Sequence, residues 1–278
     1  MGKRMDFQGK TVLVTGAYRG IGYETAKLFA IRGANVVVNA RREDKLNEAV
    51  AKIAEVASGK VIGVLADVSK RSEVDAMFDE IFAEFGRCDI LVNNAAIDHS
   101  DSFLTASDDW WNEHMRINLD GTFFATQRAA RRMIEVNEGG AIVNLSSIAA
   151  TQAHRNCVAY DTTKGGVEAF TRAVALELAP WNIRVNAISP ASVVGNFVPK
   201  RSDEELKKRD LAKFDTPLPY QGQPEDCAEL ICFLCSDASK FITGQAVYID
   251  GGLSAQCRPY CMSPLMLNPD NLEEKGWK

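Results

Sequence analysis

Short apolar runs alternate with amphipathic stretches along the chain. The runs TVLVT at Thr11, NVVVN at Asn35, VIGVL at Val61, DILVN at Asp89, AIVNL at Ala141, IRVNA at Ile183 and AVYID at Ala246 are short and β-branched, and stretches such as Val36-Val37-Val38 are apolar at consecutive positions. That is the pattern of strands covered on both faces, not of strands with one wet face. Between them apolar residues recur at helical spacing over Glu24–Arg32, Glu43–Ala57, Ser69–Phe85, Ser107–Val136, Cys157–Ala179 and Pro224–Ser236. Asp67, Ser69 and Ser107 stand where helix starts need caps, and Gly33 and Gly86 where helices stop. Strand and helix in strict alternation predict an α/β fold, a doubly wound, seven-stranded parallel sheet. No internal repeat and no Pro/Ser-rich divider interrupts the alternation, so residues 1–278 read as a single domain. Two segments break the rhythm: 189–223, long and Pro-bearing, reads as a substrate lid, and 253–278 as a C-terminal tail.

Composition narrows the classes. Of 278 residues, 46% are hydrophobic and 25% charged, enough apolar surface for a large core and too much for disorder. The net charge is -5 with no block of five like charges, which argues against nucleic acid or an anionic membrane surface as partner. No apolar run approaches the ~18 residues of a spanning helix, and Asp6 stands where a myristoyl signal needs Ser or Thr; a cytoplasmic location is expected. Seven cysteines are too sparse for a disulfide scaffold. Cys232-x2-Cys235 and Cys257-x3-Cys261 could be drawn as a zinc tetrad, but the first pair lies in an apolar helical stripe, where small thiols fill core; no metal is expected.

Directly after the first strand comes Thr15-Gly16-Ala17-Tyr18-Arg19-Gly20-Ile21-Gly22, opening a helix. Gly16 permits the turn, Gly20 lets backbone amides approach a pyrophosphate, and Gly22 lets the helix pack closely, as in a Rossmann-like dinucleotide site. The spacing G-x3-G-x-G differs from the commoner fingerprint, and a plain tight turn is the alternative. The second strand ends Asn39-Ala40-Arg41-Arg42, without the acid that would bond the ribose hydroxyls of NAD. Arg41, with Arg19 from the turn, suits a 2'-phosphate, so NADP(H) is expected and NAD(H) is the alternative.

Tyr160 and Lys164, four apart at a helix start, share a face, and Ser146-Ser147 follow the fifth strand at the carboxyl end of the sheet. Drawing a phenol from ~10 towards 7 takes about 4 kcal/mol of differential interaction, for which Lys164 is the cation at hand.

These residues, with Asn93-Asn94-Ala95, Asn118 and Asp250-Gly251-Gly252, together resemble the short-chain dehydrogenase/reductase family, over roughly residues 7 to 252 and with Ser147 the family's 13 residues before Tyr160. The resemblance implies that Tyr160 exchanges a proton with the substrate oxygen and Ser147 holds that oxygen. Lys164 binds nicotinamide ribose and lowers the phenol's pKa, while Asn118 positions a water or, on the plainer reading, caps a helix break. Along the cofactor it implies Tyr18, Ile21, Val68, Asn94, Asp67 at the adenine, and Pro190. Asp67 as a simple helix cap stays open. Ala96 and Ala191 replace family glycines and put the loop path near the nicotinamide in question. The implied substrate loops carry Asp98-His99, His154-Arg155-Asn156-Cys157 and 192–220 with Phe197 and Phe214. His99, His154, Arg155 and Phe197 are the substrate candidates, and their polarity suggests a small polar alcohol or ketone such as a sugar, polyol or hydroxy/keto compound. A 3-oxoacyl-type reductase or NAD-dependent dehydrogenase is the alternative, a non-catalytic dinucleotide sensor the remote one. The resemblance further implies a homotetramer built on the helices over 108–136 and 157–179.

Overall fold

Seven parallel strands form one sheet in the order β3-β2-β1-β4-β5-β6-β7, in a computed structural model that describes residues 5–195, 216–218 and 220–255. The strands are β1 Thr11–Val14, β2 Asn35–Ala40, β3 Val61–Leu65, β4 Ile90–Asn93, β5 Gly140–Leu145, β6 Ile183–Pro190 and β7 Ala246–Ile249. All seven expected strands form. Their consecutive apolar residues bury on alternate faces, because side chains alternate across a strand. Val12, Val14, Val36, Val38, Ile90 and Val92 enter one core, beneath helices α1 (Gly20–Ile31), α2 (Glu43–Ala54) and α7 (Pro224–Cys235). Leu13, Val37, Leu91 and Ile142 enter the other, beneath α3 (Arg71–Phe85), α5 (Gly121–Val136) and α6 (Val158–Leu178). The doubly wound architecture is therefore as expected.

Helix boundaries differ in instructive ways. α1 starts at Gly20, four residues before its apolar period becomes visible, because glycines supply its first turn. The stretch 107–136 is helical throughout, and Ser107 caps it by accepting from the Trp110 amide at 3.1 Å. Its middle, Met115–Asp120, is however a π-helical turn between α4 (Asp108–His114) and α5. Asp67 and Ser69 do not cap α3: Lys70 is the N-cap residue, and Asp67 accepts instead from the Ser69 amide at 3.0 Å, a local turn. Gly86 ends α3 at φ +71°. The cysteines of α7, Cys227, Cys232 and Cys235, are buried thiols, while Cys257 and Cys261 lie outside the described residues. Among the described residues no helix is long and apolar enough to cross a membrane.

Polar side chains tie the centre of the sheet to its helices. Asn93 Nδ2 donates to Asn144 Oδ1 at 2.8 Å and to Thr126 Oγ1 at 2.9 Å, and Asn144 Nδ2 donates to Thr171 Oγ1 at 2.9 Å. All four residues are buried, so this ladder fixes β4 and β5 against α5 and α6. Asn144→Ala is expected to destabilise the fold by roughly 2–4 kcal/mol, since it opens a cavity and leaves buried partners unpaired; urea denaturation measures it, and a loss below about 0.5 kcal/mol would refute the ladder's role.

Candidate active site

The strand order reverses between β1 and β4, and at this switch point the carboxyl ends of the strands part to leave a crevice. Thr15, just beyond β1, closes its floor: its hydroxyl donates to Val92 O at 3.4 Å and accepts from the amides of Asn94 and Ala95 at 3.0 and 3.1 Å. Asn94 Nδ2 donates to the carbonyls of Thr15 and Gly16 at 2.9 and 3.1 Å. A Cβ on Gly22 would collide with that side-chain amide, so Gly22 makes room for Asn94. Gly16 has φ +62° and lies so near Ala95 that a Cβ would come within 2.9 Å of its Cα.

Above this floor lies a cleft of about 370 Å³. Its lining includes Gly16, Tyr18, Arg19, Gly20, Ile21, Arg41, Asp67, Val68, Asn94 and His99, ten of the candidate residues, with Asn39, Ala66 and Ala95–Asp98. A dinucleotide fits what is present. Gly20 has φ +57° with nothing within 4 Å of where a Cβ would stand, an open cradle at the N-terminus of α1. No side chain caps that terminus and no acid stands in its first turn, so its partial positive charge faces the cleft uncompensated. Asn39 carries more structure than sequence reading assigned it. Its buried amide donates to Val64 O and Ala66 O at 3.2 and 3.1 Å and accepts from the Gly16 amide at 3.4 Å, binding β1, β2 and β3 at their ends. Arg42 pairs with Asp44 at 3.0 Å, whereas Arg41, exposed on the cleft, makes no ion pair among the described residues.

The candidate acid-base residues meet beside this cleft, off its lining. Tyr160 and Lys164 lie on α6, and Lys164 Nζ stands 5.4 Å from the centre of the Tyr160 ring. The ammonium is buried and donates to Leu145 O at 2.6 Å. Ser147 accepts from the Ala149 amide at 3.1 Å, capping the short turn Ile148–Ala150, and acts on the Tyr160 phenol in the sense that lowers its pKa. Ser146 turns away, donating to Lys164 O at 3.2 Å and Glu168 Oε1 at 3.3 Å. Glu168, unnoticed in sequence although it is the acid on the buried face of α6, also accepts from Ser189 Oγ at 2.7 Å and so anchors the ends of β5 and β6 to that helix.

The electrostatics correct one expectation. Burial pushes the Tyr160 phenol up to about 12, with Ser147 opposing and Asp98, Asp161 and Cys157 acting in the same sense as burial. Burial pulls the Lys164 ammonium down to about 8, Asp98 opposing. In the protein alone the cation therefore does not bring the phenol towards neutrality; desolvation dominates both groups. At pH 7 the site holds a protonated phenol beside an ammonium, a proton donor ready for an oxygen.

Asn118 lies within the π-helical turn and is buried. Its Nδ2 donates to Ile97 O at 2.8 Å and to Thr163 Oγ1 at 3.1 Å, and its Oδ1 accepts from the Ile97 amide at 2.8 Å. The side chain thus staples the loop after β4 to α6 beside Tyr160, and its carbonyl accepts from Thr122 Oγ1 at 2.9 Å. Ala96 and Ala191 both avoid positive φ, so the loop path tolerates the missing glycines. Pro190 ends β6 buried, off the cleft lining. His154 and Arg155 are exposed and do not line the cleft; the His154 amide donates to Asp161 Oδ2 at 2.7 Å and its ring pairs with Oδ1 at 3.3 Å. Phe197, Phe214 and most of the expected lid and tail lie outside the described residues. Sequence reading placed Asp98 in a substrate loop but chose His99 beside it as the candidate; Asp98 also lines the cleft and acts electrostatically on both Tyr160 and Lys164.

Comparison with known proteins agrees with this geometry. Residues 16–254 match a family model described as enoyl-(acyl carrier protein) reductase. The chain is 37% identical over 246 residues to a 3-oxoacyl-(acyl-carrier-protein) reductase of Aquifex aeolicus, covering 88% of this chain and 98% of that protein. A short-chain type dehydrogenase/reductase from Mycobacterium marinum superposes with a TM-score of 0.83 at 34% identity, covering 91% and 98%. A gluconate 5-dehydrogenase from Burkholderia cenocepacia, solved with NADP and tartrate, gives 0.81 at 32% identity, covering 91% and 98%.

The buried ammonium has a thermodynamic signature. Its folded pKa of about 8 lies below the ordinary 10.5, so below pH 8 the charge is present in both folded and unfolded states and the fold carries the full desolvation penalty. Between pH 8 and 10.5 the folded state sheds its proton first and the penalty fades. Relative to Lys164→Met, wild-type stability is expected to rise by up to roughly 3 kcal/mol across that window; paired urea denaturations at pH 7 and above pH 10 measure it, and a constant difference would refute it.

Proposed function

We propose, from the premise that this chain belongs to the short-chain dehydrogenase/reductase family, that it is an NADP(H)-dependent oxidoreductase acting on a small, polar secondary alcohol or its ketone. The observation carrying this reading is the meeting of Ser147, Tyr160 and Lys164: a buried serine that favours the ionised phenol, and an ammonium 5.4 Å from the phenol's ring. A bound nicotinamide supplies or accepts the hydride at the carbinol carbon. In the reducing direction Tyr160 gives its proton to the oxygen that Ser147 holds, so that charge never accumulates there. Lys164 bonds nicotinamide ribose hydroxyls and keeps positive charge beside the phenol. Asn118 is a positioning residue that keeps the loop after β4 against α6.

The turn Gly16–Gly22 would hold the cofactor's pyrophosphate and Asp67 and Val68 its adenine, with Tyr18, Ile21 and Asn94 completing the surroundings; Pro190, buried off the cleft lining, does not join them. NADP(H) over NAD(H) is supported by three features. Asn39, committed to backbone partners, offers no carboxylate to a ribose. Arg41 borders the cleft without an ion pair among the described residues, and the gluconate 5-dehydrogenase relative was solved with NADP. Arg19 and Arg41 then take the 2'-phosphate. A second reading, a 3-oxoacyl-type reductase, is favoured by the Aquifex aeolicus relative. Exposed Phe123 on α5 and Leu176 on α6 support self-association on those helices, read here as a homotetramer; a cytoplasmic location and one domain per chain belong to the same proposal.

Tyr160→Phe is expected to lower turnover at least a hundredfold, followed by the absorbance of the reduced nicotinamide, while NADPH binding by fluorescence stays within a few-fold; full activity in the variant would end the proposal. Arg41→Ala is expected to lower kcat/KM for NADPH tenfold or more and leave NADH nearly unchanged. NADH preferred by the wild type, with no effect of the substitution, would refute the cofactor assignment. A panel of hydroxyketones, sugars, polyols and 3-oxoacyl thioesters separates the two substrate readings by kcat/KM.

A further inference from the structure

Among the described residues three buried side-chain polar atoms lack a hydrogen-bond partner: Thr25 Oγ1, Asp98 Oδ1 and His114 Nε2. The last two belong to one neighbourhood, since His114 acts electrostatically on Asp98. They cannot satisfy each other while the imidazole is neutral. His114 Nδ1 faces the Trp110 carbonyl at 2.8 Å, and a carbonyl only accepts, so Nδ1 carries the proton and Nε2 is left an acceptor. Asp98 Oδ1 is likewise an acceptor. Two buried acceptors, each without a partner among the described residues, call for a donor that a ligand in the cleft can supply, since a buried polar group left unpaired is costly.

Asp98 is the member of this pair that a donor in the cleft can approach: its Oδ1 is buried, but the residue as a whole is partly exposed. His114 is fully buried, whereas Asp98 is half-buried and lines the cleft. No side chain or amide of another described residue donates to its carboxylate. The charged and titratable groups around it are Lys164, His99, His114, Tyr160 and Cys157, so the carboxylate lies in the electrostatic field of the very pair that handles the reacting oxygen.

We infer that Asp98 is a specificity-determining residue that accepts a hydrogen bond from a second hydroxyl of the substrate, near the reacting carbon, so that the enzyme selects hydroxylated ketones and polyols over plain ones. The inference rests on the oxidoreductase reading above and deepens it. A hydroxyl suits the place better than an ammonium, which would meet the Lys164 cation beside the same carboxylate. It suits it better than an acyl chain, which would cover the carboxylate and offer no donor. Burial, which holds the Asp98 carboxyl above its ordinary range, makes an incoming donor the more valuable.

The test compares 1-hydroxy-2-butanone with 2-butanone under NADPH in the wild type, Asp98→Ala, Asp98→Asn and Tyr160→Phe. The ratio of kcat/KM for hydroxyketone over ketone is expected to exceed one in the wild type, to fall tenfold or more in Asp98→Ala, and to recover in part in Asp98→Asn, which keeps an acceptor oxygen. The ratio is insensitive to a general loss of folded enzyme, and thermal melting with NADPH binding checks each variant. A ratio within threefold of wild type in both Asp98 variants overturns this inference alone, provided Tyr160→Phe abolishes turnover of both ketones. A wild type that turns over neither ketone, nor any member of the wider panel, overturns the oxidoreductase reading and this inference with it. A preference for the matching amino ketone that Asp98→Ala removes overturns the choice of hydroxyl.

Discussion

One buried charge organises the acid-base end of this protein. The Lys164 ammonium sits in the interior with its hydrogen bond to the Leu145 carbonyl at the end of β5, and every partner it has is imposed by the sheet and by α6. A cation in such a place is expensive, and burial duly drags its pKa to about 8. The same desolvation holds the neighbouring phenol protonated. The two groups are thus kept as donor and cation at neutral pH by their removal from water, with mutual attraction secondary. A site of that kind favours whatever brings a proton acceptor and hydroxyl groups to it.

Holding those groups still requires polar residues where a parallel sheet normally buries only apolar ones. Asn39, Asn93, Asn144 and Glu168 are all buried, and each spans at least two elements through hydrogen bonds. They lie toward the carboxyl ends of the strands, the end at which the cleft opens. Asn118 does the same work from the helix side, where a π-helical turn carries its amide between Ile97 and Thr163. Fully satisfied networks of this kind rigidify a site at little net cost, because both donors and acceptors are used. Asp98 departs from that rule, and it does so on the cleft wall.

The inner strands were plain in the sequence because they are covered on both faces and so carry apolar residues at consecutive positions; Val36–Val38 is the clearest case. The first turn of α1 was not, since Gly20 and Gly22 carry no helical signal of their own. The glycine turn, Arg41, Tyr160, Lys164 and Ser147 were legible as residue types at set spacings. The distinctions within those pairs were not. Arg41 differs from Arg42, and Ser147 from Ser146, only in which way the backbone points each side chain. His154 looked like a substrate ligand and is instead held by Asp161.

Local chemistry along the chain determined the alternation of strand and helix, the nucleotide-binding turn and the i, i+4 pairing of phenol with ammonium, all of which depend on neighbours within a few residues. Tertiary structure alone decided how dry that pair is, which way each pKa moves, and that Asp98 and His114 each keep a buried atom without a partner among the described residues. The physical reason is that desolvation and hydrogen-bond satisfaction are properties of the space around a group, built by strands and helices remote in sequence, and a residue's identity says nothing about how much water it keeps.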